Sequence, residues 1–179
     1  MSRMKHLHLK FEGFRALEYL KLGKFGLFSK KAFKDAKSLT LEYIGKQTLK
    51  NGHVKILANH MNRGLRKLKD LSIKIEMEGE WLWLNPQLIN IIPLLNSMKQ
   101  SFVSLANLKL SLEKIFRFSI AECRGFDRLF AKLRSTLRHL DLDFSENDYL
   151  DMTEFSETLG VLIMKRLHKL ETLCLNFNR

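Results

Sequence analysis

Apolar residues recur along this chain in a fixed pattern. Leu68-Lys-Asp-Leu71-Ser-Ile73, Leu105-Ala-Asn-Leu108-Lys-Leu110, Leu137-Arg-His-Leu140-Asp-Leu142 and Leu170-Glu-Thr-Leu173-Cys-Leu175 share the spacing L-x-x-L-x-L, with Ile at one place. Met4-Lys-His-Leu7-His-Leu9 and Ala36-Lys-Ser-Leu39-Thr-Leu41 repeat it with another first residue. The six strings start at 4, 36, 68, 105, 137 and 170, so they are 32, 32, 37, 32 and 33 residues apart. Two positions beyond each string stands one more apolar residue: Phe11, Tyr43, Ile75, Leu112, Phe144 and Phe177. Strict alternation of apolar and polar positions is the mark of a strand with one buried face.

The segments between the strings carry a different period. Phe126, Leu129, Phe130, Leu133 and Leu137 fall at i, i+3, i+4, i+7 and i+11, the stripe of an amphipathic helix. Phe155, Leu159, Leu162 and Leu167 form a looser stripe, with Asp151 and Glu154 as a capping pair at its start. Val54, Leu57, Met61, Leu65 and Leu68 serve the second repeat. In the third, Asn85-Pro86 reads as N-cap and first helical residue, followed by Leu88, Ile91, Ile92, Leu95, Met98 and Phe102. Pro93 predicts a kink or break in that helix.

One strand and one helix cannot bury an apolar face alone; stacked units can. The strings resemble leucine-rich repeats, and the long period is most similar to the ribonuclease-inhibitor-like class. The resemblance spans residues 4–179. It implies an α/β solenoid of about six βα repeats, 32–37 residues each, in one domain over 1–179. It also implies a parallel sheet on the concave face, helices on the convex face, and protein recognition through the concave face. The family places Asn or Cys three residues after the third Leu; here Glu12, Ile44, Glu76, Glu113, Ser145 and Asn178 stand there. Only Asn178 fits, which marks the chain as a divergent member.

Three features break the regularity. The third repeat is five residues longer than 32, and its stretch Ile73–Leu84 reads either as a hairpin turning at Gly79 or as core filled by Trp81 and Trp83. Leu17-Glu-Tyr-Leu20-Lys-Leu22 breaks the period and is assigned to the convex side. The last string ends close to Arg179, so a polar C-terminal cap is expected to be missing.

Charge sharpens the picture. The net charge is +12. Residues 1–69 hold 17 Lys+Arg and 4 Asp+Glu, 17 − 4 = +13; residues 70–179 hold 14 and 15, 14 − 15 = −1. Alternation assigns His6, His8, Lys10, Ser38, Thr40, Glu42, Asp70, Ser72 and Lys74 to the polar strand face, with Asn107, Lys109, Ser111, His139, Asp141, Asp143, Thr172, Cys174 and Asn176. That face is nearly neutral. The basic excess therefore falls on the flanks of the first two repeats, at Lys30, Lys31, Lys34, Lys46, Lys50, Lys55, Arg63, Arg66 and Lys67. These residues read either as an anion patch for RNA or another polyanion, or as a solvated surface that keeps the chain soluble.

Catalytic chemistry finds no foothold. His6 and His8 share a strand face but lack a third metal ligand nearby. Asp141 and Asp143 are neighbours without an evident pocket, and Cys174 has no evident base. The glycines form no phosphate-cradling loop. No enzyme activity, cofactor or metal is expected. The two cysteines fit a reducing compartment. The start of the chain lacks a secretory apolar region, and the stretch Trp81–Met98 is too interrupted to span a membrane. The chain is expected inside the cell, by default in the cytoplasm, with organelle import left open.

Two functions follow as expectations. The first is a scaffold that binds another protein through His8, Glu42, Lys74, Lys109, His139, Asp141 and Asp143. The second is a structural subunit of a larger assembly, such as a ribonucleoprotein, docking through the basic half.

Overall fold

All six apolar strings form strands: β1 (His6–Glu12), β2 (Ser38–Gly45), β3 (Asp70–Met77), β4 (Asn107–Glu113), β5 (His139–Asp143) and β6 (Thr172–Asn176). The computed structural model describes residues 5–12, 35–45, 65, 67–77, 91–113, 120–147 and 152–178. Among these, three helices precede the last three strands: α1 (Ile92–Ser101), α2 (Ile120–Leu133) and α3 (Met152–Arg166). The strands make one all-parallel sheet in chain order, β1 to β6, so the fold is α/β.

The register reproduces the sequence period. His6 pairs with Ser38, Ser38 with Asp70, Asp70 with Asn107, Asn107 with His139 and His139 with Thr172, offsets of 32, 32, 37, 32 and 33 residues. Equivalent Leu positions therefore stack in continuous rows, as in Leu7–Leu39–Leu71–Leu108–Leu140–Leu173. A slip of one residue would turn every such row to the polar face, which is why the pattern specifies the pairing so strongly.

One backbone device repeats at the start of every strand after β1. The carbonyl of Lys5 accepts from the N–H groups of Lys37 and Ser38 at 2.8 and 3.1 Å. The carbonyls of Lys37, Lys69, Ala106 and Arg138 do the same for the next strand. The residue before each strand is thereby fixed in a row of its own: Lys5, Lys37, Lys69, Ala106, Arg138 and Glu171.

The core is a single apolar cluster joining the inner sheet rows to the helices. The expected stripe of α2 is fully inside, with Phe126, Leu129, Phe130 and Leu133 buried and Leu137 buried just beyond the helix end. On α3, Phe155 and Leu159 are buried as expected, as is Leu167 just beyond its end; Leu162 is only partly buried and Ile163 takes its place in the core. Phe144 ties the layers together, edge-on to Phe126 at 6.1 Å and to Phe155 at 5.3 Å, and stacked on Phe177 at 5.6 Å. Gly125 lets α2 approach α1, since a Cβ there would lie 2.8 Å from Leu95 Cδ1. Pro93 sits in the first turn of α1, where a missing N–H costs no helical hydrogen bond.

The turn after β5 departs from expectation. Asn178 is exposed. The buried asparagine is Asn147, whose Nδ2 lies 2.8 Å from the Leu112 carbonyl, 2.6 Å from that of Phe144 and 3.2 Å from that of Ser145. Glu146 before it takes a left-handed φ of 58°, which carries the chain past the expected place at Ser145. The amide satisfies carbonyls that would otherwise be orphaned at the strand end.

Several expectations lie outside the described residues. These are the helix over Val54–Met61, the Gly79 hairpin with Trp81 and Trp83, the Asn85-Pro86 helix start, the Leu17–Leu22 string and the capping residue Asp151.

Candidate functional site

Side chains at alternate strand positions form rows across the polar face. The first row reads His6, Ser38, Asp70, Asn107, His139 and Thr172; the second His8, Thr40, Ser72, Lys109, Asp141 and Cys174. Between β2 and β6 these two rows line an open groove of about 500 Å³. The short Ser38, Thr40 and Ser72 line its β2–β3 side, and the longer Lys109, His139 and Asp141 its β4–β5 side.

Its charges are matched internally. Lys109 Nζ lies 2.7 Å from Asp141 Oδ2, directly across in register. The hydrogen bond to Asp141 holds the Lys109 ammonium above the usual lysine range, against a smaller opposing effect of burial. The Asn107 amide donates to the Asp70 carboxylate. His139 Nδ1 lies 2.6 Å from Thr172 Oγ1, and its Nε2 is 3.9 Å from the Glu171 carboxylate.

The same matching extends beyond the groove. His8 Nε2 is 3.2 Å from Glu42. Lys74 lies between Glu76 at 3.0 Å and Glu113 at 3.1 Å. Burial pulls Lys74 down, but the two carboxylates outweigh it and its pKa is raised. At the edge, Lys10 pairs with Glu12 and holds that carboxyl below its ordinary range. Such exposed or partly exposed pairs each add little to stability, because water screens them. Their effect is to fix side-chain positions and to leave the face close to neutral.

Of the seven sequence candidates, Lys109, His139 and Asp141 line the groove. His8, Glu42, Lys74 and Asp143 share the face but lie outside the lining. Asp143 is engaged by its own turn, its Oδ1 accepting from the Ser145 N–H at 3.0 Å. The Leu39–Leu71–Leu108–Leu140–Leu173 row contributes to the lining as well, and Ser38, Thr40, Asp70, Ser72, Asn107, Thr172 and Cys174 supply the rest of its polar part. Alternation had assigned them to this face, but nothing in the sequence marks where a hollow opens.

The basic candidates Lys30, Lys31, Lys34, Lys46, Lys50, Lys55, Arg63 and Arg66 lie outside the described residues. Lys67 is exposed and bonded to Asp35 at 2.8 Å. Cys174 is a free, exposed thiol at the groove's end, and Cys123 is buried in the core. Among the described residues no three His, Cys, Asp or Glu side chains converge to hold a metal ion. Among them, too, no helix is long and apolar enough to cross a membrane.

Comparison with protein-family models, with curated proteins and with solved structures finds no match to this chain.

Proposed function

We propose that this chain is a divergent leucine-rich-repeat module, without a catalytic centre, that binds another protein through the polar face of its sheet. The observation that carries the reading is the groove crossing five strands, lined by side chains from five successive repeats. The agreement between the 32–37 residue period and the strand register supports the repeat assignment. So does Asn147, which serves the backbone at a strand end as the family's buried asparagine does. A hydrogen-bonded sheet with paired charges is ordered before it binds, so little conformational entropy is lost on association. Hydroxyl, amide and carboxylate groups in rows offer direction-dependent hydrogen bonds to a partner's backbone and side chains.

The test is site-specific photo-crosslinking. A photoreactive residue at Ser72, in the groove, is expected to give a discrete protein adduct in a native extract; the same residue at Arg128, on the helix side, is not. The adduct partner, purified, is then titrated against wild type and the double variant Asp141→Lys/Asp143→Lys. Affinity is expected to fall by at least about tenfold, or about 1.4 kcal/mol, in a variant that circular dichroism and a cooperative urea melt show to be folded. Equal adducts from both positions, or unchanged affinity in the folded double variant, would refute the reading.

A further inference from the structure

The row of residues before the strands behaves differently from the polar face. Lys5, Lys37 and Lys69 occupy adjacent places in it, held by the carbonyl ladder that joins β1, β2 and β3. All three side chains are exposed. Neighbouring parallel strands lie about 4.8 Å apart, so the three lysines stand in file over roughly 10 Å. Like charges directly across a sheet repel. On the polar face Lys74 and Lys109 each meet a carboxylate within 3.1 Å. Among the described residues no carboxylate pairs with Lys5, Lys37 or Lys69. Further along the row, Arg138 is neutralised by Glu171 at 3.5 Å.

We propose that Lys5, Lys37 and Lys69 form a docking site for the phosphodiester backbone of single-stranded RNA. Three ammonium groups in file, none paired with a carboxylate among the described residues, complement a chain that carries one negative charge per residue along a line. Their mutual repulsion is relieved when phosphates lie between them. A bilayer would present a plane of charge and take up exposed apolar side chains as well. Of the four large apolar side chains exposed among the described residues, Val161, Met164 and Leu173 lie on α3 and β6, at the far end of the sheet from this file. The fourth, Val103, lies just before β4. The site is independent of the polar-face groove.

The probe is a fluorescein-labelled oligouridylate, titrated by anisotropy over a range of salt concentrations. Wild type is compared with the triple variant Lys5→Gln/Lys37→Gln/Lys69→Gln and with Arg124→Gln/Arg128→Gln/Lys132→Gln. The second variant removes equal charge from the exposed basic stripe of α2. Both are checked for folding by circular dichroism and urea melts. Three phosphate contacts contribute about −2 to the slope of log K against log salt for a single strand, so the first variant is expected to be shallower by about 2 and the second unchanged. Equal losses in both variants, an unchanged slope in the first, or no RNA binding by wild type would overturn the proposal. Binding to phosphatidylserine vesicles that needs the three lysines, without RNA binding, would overturn it in favour of a lipid headgroup site.

Discussion

On the polar face, Lys74 lies between Glu76 and Glu113, and Lys109 lies against Asp141. One residue before the strands, Lys5, Lys37 and Lys69 stand side by side with no paired carboxylate among the described residues. Both arrangements come from the same register, since the rows of a parallel sheet bring equivalent repeat positions together whatever they carry. Where successive repeats offset Lys with acid, in the same row as at Lys109–Asp141 or one row along as at Lys74 with Glu76 and Glu113, the surface becomes ordered and nearly uncharged. Where they repeat Lys, the row accumulates charge. The first suits recognition by shape and hydrogen bonds and should be insensitive to salt. The second suits a polyanion and should be strongly salt-dependent.

The contrast can be broken at its common foundation. Phe126 is fully buried beneath the sheet and meets Phe144 and Phe130. Phe126→Ala should cost about 3–5 kcal/mol, read from urea melts, and weaken both surfaces together. An effect on only one surface would show that they do not share a cooperative platform.

Asn147→Ala should separate the two halves. It leaves the Leu112 and Phe144 carbonyls without their amide donor, at a cost of about 1–3 kcal/mol. Amide hydrogen exchange should quicken around the ends of β4 and β5 while the β1–β3 amides stay protected. Uniform loss of protection would mean that the turn governs the whole sheet.

Tyr43→Phe tests the first half in the opposite direction. The Tyr43 hydroxyl is buried with no hydrogen-bond partner among the described residues, and burial raises its pKa. Removing it should stabilise the protein by up to about 1 kcal/mol in a urea melt. Destabilisation would reveal a partner for that hydroxyl.

The rim lysines should give a smaller change. Replacing Lys5, Lys37 and Lys69 by Gln should stabilise the free protein by a few tenths of a kcal/mol at low salt, with the gain vanishing at high salt. A salt-independent loss of stability would show that the lysine stems, not their charges, matter there.

The weakest effect concerns the helix side. Asp127 receives Arg166 Nε at 2.7 Å and Nη2 at 3.2 Å, and that bond holds its carboxyl below the ordinary aspartate range. The folded pKa is depressed, so this stabilisation is present above the ordinary aspartate range and is lost as pH falls through the folded value. Asp127→Asn should flatten the acid limb of the stability–pH curve without changing either binding activity. An unaltered acid limb would contradict the pairing.

The sheet was legible in the sequence because a period of two carries its own register. Leu140 and Leu142 could face only one way, and the spacing from Leu108 and Leu110 fixed their partners. The α2 stripe was equally plain, because Phe126, Leu129, Phe130 and Leu133 satisfy only a helical period. The groove was not legible, because it is assembled from single positions on five strands that lie far apart in sequence. Thr40, Ser72, Lys109 and Asp141 come into one row only through strand pairing. Asn147 escaped because left-handed Glu146 moved it two places beyond the repeat position at Ser145. The lysine file was not legible either, because Lys5, Lys37 and Lys69 are 32 residues apart in sequence and become neighbours only through strand pairing.

The most direct measurement is a crossed binding comparison on the same preparations. Wild type, Asp141→Lys/Asp143→Lys and Lys5→Gln/Lys37→Gln/Lys69→Gln are each titrated with the cross-linked protein partner and with labelled oligouridylate. Crossed losses are expected: the polar-face variant loses the protein and keeps the RNA, and the rim variant does the reverse. Loss of both ligands in one folded variant, or protein binding that depends on the rim and not on Asp141 and Asp143, would contradict a division of labour between the matched face and the unmatched rim.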